Sequence, residues 1–141
     1  MSQAGELIGL DIGQKRTGLA RASKLAGLAE PLQTVETSDL AKTLKQLSQE
    51  TGINAVVVGL PRSLEGRETA QTTWVRQVVD ELKKQIDWPF YWQDEALSSR
   101  CATAQLAQKP KTKNQIDEHA LAAAIILQDF IDTPEAVRIA I

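Results

Sequence analysis

The amino-acid sequence predicts an α/β fold with a mixed central β-sheet and helices on its faces. Two observations lead to this class. The run Ala55–Val58 is continuously apolar and rich in β-branched residues, which is typical of a strand buried on both faces of a parallel sheet. Apolar residues at helical spacing lie on both sides of that run, so strands and helices alternate after an initial set of hairpin strands. The predicted order is β-β-β-α-β-α-β-α-α.

The N-terminal part of the chain predicts three strands. Residues Leu7–Ile12 form the first, and the polar stretch 13–16 is a turn. The chain returns as a second strand over Thr17–Ala22, which makes a hairpin. A third strand covers Leu28–Val35, and Pro31 places it at a sheet edge or at a bulge because proline cannot donate to the ladder.

The rest of the chain alternates helices and strands. Thr37–Asp39 is a helix start signal, Leu40, Leu44 and Leu47 recur on one face, and Gly52 ends that helix. The following elements are a strand at Ile53–Gly59, a helix at about 67–86, a strand at Phe90–Asp94, a helix from Ser98 or Ser99 to Gln108, and a last helix at about 115–131. A basic loop over 109–114 precedes that helix, and the tail from about 133 to 141 is weakly specified.

The length and composition of the chain limit the classes of function that it can have. The 141 residues fit one domain spanning 1–141. The net charge of −2 excludes a globally basic nucleic-acid binder, so a polyanion would have to be held by a local basic patch or by metal ions. A single cysteine, Cys101, allows neither a disulfide nor a cysteine-based zinc site. We expect a reducing, cytoplasmic location, with no signal peptide and no membrane partner.

Acidic residues stand where strands end or face a crevice. Asp11 interrupts the apolar first strand, and an unpaired buried carboxylate costs several kcal/mol, so it must have a donor, a cation or a metal as partner. Glu95 closes the strand that begins at Phe90, and Asp117 and His119 open the last helix. Separated acids that converge are the usual ligands of Mg²⁺ or Mn²⁺. The alternative is that these acids are ordinary turn residues or favour the helix dipole.

Basic residues border the same segments. They are Lys15, Arg16, Arg62, Arg67, Lys109, Lys111 and Lys113. Such a rim would suit phosphate contacts, which position a nucleic acid without reading its sequence. The alternative is a solvated loop surface. Trp88, Tyr91 and Trp92 could stack on bases, although aromatic residues in a strand are more often core.

Four ordered motifs resemble the YqgF family, also called RuvX. They are GLDIGQKRTG at 9–18, VVGLP at 57–61 with Gly66 five residues on, DEALSS at 94–99, and HALAAAIILQ at 119–128. The resemblance covers about residues 5–131. It implies an RNase H-like fold shared with RuvC-type resolvases, and a metal-dependent nuclease that matures the 5′ end of 16S ribosomal RNA. It also implies that Asp11, Glu95 and an acid at the start of the last helix are the catalytic metal ligands.

The sequence departs from the family pattern at two positions. The third acid of the family falls on His119, whereas Asp117 lies about 200° away around the helix. A neutral imidazole can bind a divalent ion and suits Mn²⁺ better than Mg²⁺. Either His119 or Asp117 therefore completes the site, or the site is weakened. The family's arginine in the third motif is replaced by Ala96, and Arg100 is the nearest substitute.

Several functions remain open at this point. The first is an Mg²⁺- or Mn²⁺-dependent nuclease acting on precursor ribosomal RNA, with pre-ribosomal particles as partners and a monomeric or weakly dimeric state. The second is a DNase that resolves Holliday junctions. The third is an RNA-binding module without turnover. A phosphate-binding domain of the sugar-kinase and actin type is disfavoured, because such enzymes close two domains over ATP and this chain has no second copy.

Overall fold

A computed structural model of the chain describes residues 6–23, 27–50, 52–60, 69–94, 118–133 and 139–140. Within these ranges, six strands form one sheet in the order β3-β2-β1-β4-β5-β6. The strands are β1 (Glu6–Ile12), β2 (Arg16–Ser23), β3 (Ala29–Glu36), β4 (Ile53–Leu60), β5 (Phe90–Asp94) and β6 (Ile139–Ala140). Strands β1, β4 and β5 are parallel to one another, whereas β2, β3 and β6 pair antiparallel. The predicted mixed α/β sheet is therefore confirmed.

Three helices are described, and they cover both faces of the sheet. Helix α1 spans Leu40–Glu50 after a 3₁₀ turn at Thr37–Asp39, α2 spans Ala70–Gln85, and α3 spans Glu118–Asp132. Helices α1 and α2 share one apolar cluster with alternate residues of β1 and β4, including Leu10 and Val58. Helix α3 packs on the opposite face, where Ala123, Leu127 and Phe130 meet Ala20 and Val57.

Helix α3 lies close to the sheet because two of the residues beneath it are glycines. A Cβ atom at Gly9 would stand 2.8 Å from the Cβ of Leu127 and 2.9 Å from the carbonyl oxygen of Ala123. A Cβ atom at Gly18 would overlap the backbone of His119 and would lie 2.6 Å from the nitrogen of Ala120. Real Cβ atoms do not approach so closely, so any larger residue would lift the helix from β1 or β2.

The third strand shows both features that Pro31 predicts. Strand β3 is at the edge of the sheet. Its register against β2 shifts between Leu19, which pairs with Gln33, and Ala20, which pairs with Pro31. One residue, Leu32, is thus inserted in β3, as in a β-bulge.

Three sequence expectations need correction. The C-terminal tail contributes β6, a strand that was not predicted, whose Ala140 and Ile139 pair with Tyr91 and Trp92 of β5. Helix α2 begins at Ala70 and not at about residue 67, because Thr69 caps it. Leu60 belongs to strand β4 and not to the following loop. The predicted helix ending at Gln108, the basic loop over 109–114 and residues 115–117 lie outside the described residues.

Candidate nuclease site

Asp11 faces helix α3 from strand β1. Successive side chains of a strand point to opposite faces. Ile8, Leu10 and Ile12 belong to the cluster under α1 and α2, whereas Gly9 lies directly against α3. Asp11 shares the face of Gly9, two residues away, and its side chain is half-buried. The carboxylate therefore interrupts the apolar pattern only on the side of the sheet that α3 covers.

The first turn of α3 lies over the strand pair that contains Asp11. Asp11 pairs with Gly18 in the antiparallel ladder of β1 and β2, so the two residues share a face. Gly18 is the glycine that lies against the backbone of His119. His119 is half-buried and its neighbour Glu118 is exposed. The structure thus places the start of α3 over the strand pair that contains Asp11.

The neighbouring parallel strands end at the same edge. Gly59 of β4 pairs with Gln93 of β5. Val57 and Tyr91, two residues before them, belong to the cluster under α3, so Gly59 and Gln93 also face α3. Ligands of open α/β sheets bind at the carboxyl ends of the strands. The α3 face at this edge is therefore the candidate site.

The β1–β2 turn stands beside Asp11 and carries two exposed cations. Its closing bond joins the N–H of Gly13 to the carbonyl of Arg16 at 3.0 Å. A Cβ atom at Gly13 would lie 2.6 Å from that same carbonyl oxygen, so the closed turn has no room for a side chain there. Lys15 and Arg16 are both exposed. The turn can accordingly present two positive charges near the candidate site.

All of the other predicted site residues fall outside the described part of the chain. They are Glu95, Asp117, Arg62, Arg67, Lys109, Lys111 and Lys113, together with Ala96 and Arg100. Within the described ranges, no three His, Cys, Asp or Glu side chains cluster closely enough to hold a metal ion. Asp11 and His119 are the two predicted metal ligands with described positions, and a carboxylate with an imidazole is a donor set that suits divalent ions such as Mn²⁺.

The strand aromatics pack in the core. Trp92 is 8% exposed, and the guanidinium of Arg76 lies 5.2 Å from its ring centroid. Tyr91 packs against Phe130 with ring centroids 5.2 Å apart. Trp88 is half-buried against the cluster under α1 and α2. Trp92 is thus a core residue, whereas Tyr91 and Trp88 are half-buried and pack against the two apolar clusters.

Sequence reasoning missed the contribution of Gly9 and Gly18. Glycine inside a strand often marks close approach of another backbone, and that signal was present at both positions. It does not identify the approaching segment. A further missed feature is a shallow depression between the β1–β2 turn and the start of α2, lined by Gln14, Ala70, Gln71 and Trp74.

Solved structures identify the class of fold. The chain superimposes on Thermus thermophilus RuvC in complex with a Holliday junction substrate with a TM-score of 0.61 and 14% identity, over 96% of this chain and 99% of that one. The large terminase nuclease of the thermophilic phage G20c matches with a TM-score of 0.53 and 16% identity, over 90% and 82% of the two chains. The protein therefore has the RNase H-like fold of RuvC-type nucleases, as the four motifs imply.

Sequence relatives define the family more narrowly. The family model described as "RuvX: Holliday junction resolvase" matches residues 5–133. A protein of Roseiflexus sp. (strain RS-1) named "Putative pre-16S rRNA nuclease" is 37% identical over 94% of this chain and 97% of its own length. A protein of the same name from Rickettsia rickettsii is 33% identical over 90% and 86%. The chain belongs to the RuvX family of nucleases, and its substrate is nucleic acid.

The helices of the described ranges are all too short or too polar to cross a lipid bilayer.

Proposed function

We propose that the protein is a divalent-metal-dependent nuclease that processes the 5′ end of precursor 16S ribosomal RNA. The observation that carries the proposal is the position of Asp11. It lies on the α3 face at the carboxyl ends of β1, β4 and β5, beside the first turn of α3. The relatives of the family that match nearly the whole chain are named for this ribosomal RNA activity. Such a role belongs to the cytoplasm, where ribosomes are assembled.

The metal would be held by Asp11, Glu95 and His119, with Asp117 as the alternative third ligand. Glu95 directly follows the last residue of β5 in the sequence, and Tyr91 and Gln93 of that strand face α3. Divalent ions bound there would activate the attacking water and stabilise the leaving oxygen of a phosphodiester. The imidazole nitrogen of His119 is a softer ligand than the family's carboxylate, and it favours Mn²⁺ over Mg²⁺.

Lys15 and Arg16 would contact the RNA backbone. Both are exposed on the turn that follows β1, and Gly13 of that turn is two residues from Asp11. Cationic contacts with phosphate fix the position of a strand and carry no sequence information. Arg62, Arg67, Lys109, Lys111 and Lys113 are proposed to extend this surface.

The decisive test is cleavage of a precursor 16S ribosomal RNA fragment with Mg²⁺ and with Mn²⁺. Asp11→Asn removes the charge but keeps the size of the side chain, and we expect at least about a 100-fold loss of rate, since even indirect supports of metal ligands cost 10–100-fold. Asp80→Asn, an equivalent change on the exposed side of α2, is the matched control and should leave the rate unchanged.

Two results would contradict the proposal. One is an Asp11→Asn protein that cleaves as fast as the unmodified chain. The other is preferential cleavage of a four-way DNA junction over the ribosomal RNA fragment, which would assign the site to junction resolution, the activity after which the family is described.

A further inference from the structure

We infer that Thr37 is a positioning residue, which fixes the β1–β2 turn so that Lys15 and Arg16 meet the phosphate backbone of the substrate. The inference rests on the proposed function, because it assigns these two cations to substrate phosphates. Thr37 itself follows the last residue of β3 and begins the 3₁₀ turn that leads into α1. It is distant in sequence from every motif that identifies the family.

Thr37 holds two carbonyl groups of the turn at once. Its backbone N–H donates to the carbonyl of Lys15 at 3.0 Å. Its hydroxyl donates to the carbonyl of Gly13 at 2.6 Å. The bond from the Gly13 N–H to the Arg16 carbonyl closes the turn from inside. The backbone on both sides of Gln14 is therefore tied to a residue of a different segment.

The hydroxyl of Thr37 is itself held from the core. Thr17 on β2 is completely buried, and its Oγ1 lies 2.9 Å from the Oγ1 of Thr37. A hydroxyl has one proton to donate, and Thr37 gives its proton to Gly13, whose carbonyl can only accept. Thr17 must consequently be the donor in the pair. A directed chain of hydrogen bonds thus runs from the core, through Thr37, to the turn.

This arrangement explains why a threonine suits position 37. Lys15 and Arg16 are exposed and belong to neither apolar cluster, so backbone contacts hold them in place: Arg16 begins β2 and pairs with Glu36 of β3, and Lys15 depends on the bond from Thr37. A mobile turn would lose conformational entropy when its cations engage phosphate, and that loss would weaken binding. Fixing the backbone beforehand reduces the loss. The function of Thr37 is hence expected to appear in substrate affinity.

The test compares Thr37→Val, which keeps the shape but removes the hydroxyl, with Thr37→Ser, which keeps the hydroxyl. We expect Thr37→Val to raise KM for the ribosomal RNA fragment about threefold to tenfold, the usual range for one lost hydrogen bond. The kcat should change less than about twofold, since Asp11 is not contacted. Thr37→Ser should restore most of the affinity, which a role in core packing would not explain.

A double-mutant comparison shows whether Thr37 acts through the cations. Lys15→Ala/Arg16→Ala should raise KM and lower its salt dependence, because two phosphate contacts are lost. In that background, Thr37→Val should add little further effect. An undiminished effect of Thr37→Val in that background would overturn the inference, as would an unchanged KM in Thr37→Val alone.

The experiment separates this inference from the proposed function. If Lys15→Ala/Arg16→Ala leaves KM unchanged, the inference fails, whereas the nuclease proposal is still decided by Asp11→Asn. Should Thr37→Val not fold, Thr37→Ala offers the second variant, because it removes the same hydroxyl and with it the bond to the carbonyl of Gly13. We expect a rise of KM of similar size there, and an unchanged KM would overturn the inference.

Discussion

The α-carbon of Gly18 lies directly against the backbone carbonyl of His119, so that helix α3 begins on top of strand β2. The partner of Gly18 in the neighbouring strand is Asp11. Together with the close approach of Gly9 to Ala123 and Leu127, this contact sets the distance between the strand that carries Asp11 and the helix turn that carries His119. The geometry of the candidate site therefore requires the absence of a side chain at position 18.

Gly18→Ala is predicted to weaken both stability and activity. The new methyl group would overlap the backbone of His119 and Ala120, which cannot move without shifting α3. Overpacking of this kind costs about 1–3 kcal/mol of the free energy of unfolding. We expect a loss of kcat at temperatures where the variant is still folded, measured by cleavage of the ribosomal RNA fragment and by thermal unfolding.

Gly52→Ala is the control for this substitution. A Cβ atom at Gly52 has no atom within 4 Å, and its φ is outside the left-handed range. The change should leave kcat unaltered and stability within about 0.5 kcal/mol, as for most surface substitutions. A Gly18→Ala variant that behaves like Gly52→Ala would contradict the role of the close approach.

His119→Asp is predicted to change the metal preference of the enzyme. A carboxylate oxygen is a harder ligand than an imidazole nitrogen and suits Mg²⁺ better. We expect the ratio of the cleavage rate with Mg²⁺ to the rate with Mn²⁺ to rise roughly tenfold. Initial rates at saturating concentrations of each ion measure this ratio.

Glu118→Gln tests whether the change of metal preference is specific to position 119. Glu118 is exposed in the same helical turn and should not alter the ratio. An unchanged ratio in His119→Asp would instead favour Asp117 as the third ligand. In that case Asp117→Asn, and not His119→Asp, would change the dependence of the rate on the metal concentration.

The elements with a strong hydrophobic pattern could be predicted from sequence. The β-branched run in β4 and the helical stripe of α2 each determine burial within a single segment, and both were located to within a few residues. Strand β6 could not be predicted, since its two residues carry no pattern of their own. Its position depends on pairing with Tyr91 and Trp92, which are distant in sequence.

The candidate site also combines features that the sequence predicts with features that it does not. The apolar neighbours of Asp11 predict that it has a partner, because burial of an isolated charge is costly, and the structure shows the side chain half-buried. The sequence does not predict that Gly18 contacts α3, and it does not predict that Thr37 holds the β1–β2 turn. Each of these contacts joins segments 20 or more residues apart, and neither a glycine nor a threonine indicates its partner by residue type.

Gln128 is predicted to stabilise the packing of α3 against the sheet. Its side-chain carbonyl accepts from the N–H of Ala29 at 2.9 Å, and its amide donates to the carbonyl of Gly27 at 3.2 Å. Gln128→Met keeps the length of the side chain but leaves both backbone groups without this partner. The expected loss is about 1–3 kcal/mol, measured by urea denaturation.

Gln46→Met is the matched change at an exposed position of α1 and should be nearly neutral. Equal unfolding midpoints for the two variants would show that the contacts of Gln128 contribute nothing. Because Gln128 lies near the far end of α3 from His119, the kcat of Gln128→Met should equal that of the unmodified protein while it is folded.

Thr69→Ala is predicted to destabilise the start of α2. The hydroxyl of Thr69 accepts from the N–H of Thr72 at 3.3 Å, and the N–H of Thr69 donates to the hydroxyl of Thr72 at 2.9 Å, which forms a reciprocal capping box. Thr72 is completely buried, so its N–H would not regain water as a partner. We expect a loss of about 1 kcal/mol by urea denaturation, with stability largely kept in Thr69→Ser.

Thr73→Ala, which removes an exposed hydroxyl with only a 3.5 Å contact, is the control. Equal effects of Thr69→Ala and Thr73→Ala would show that helix propensity, and not the cap, determines where α2 begins.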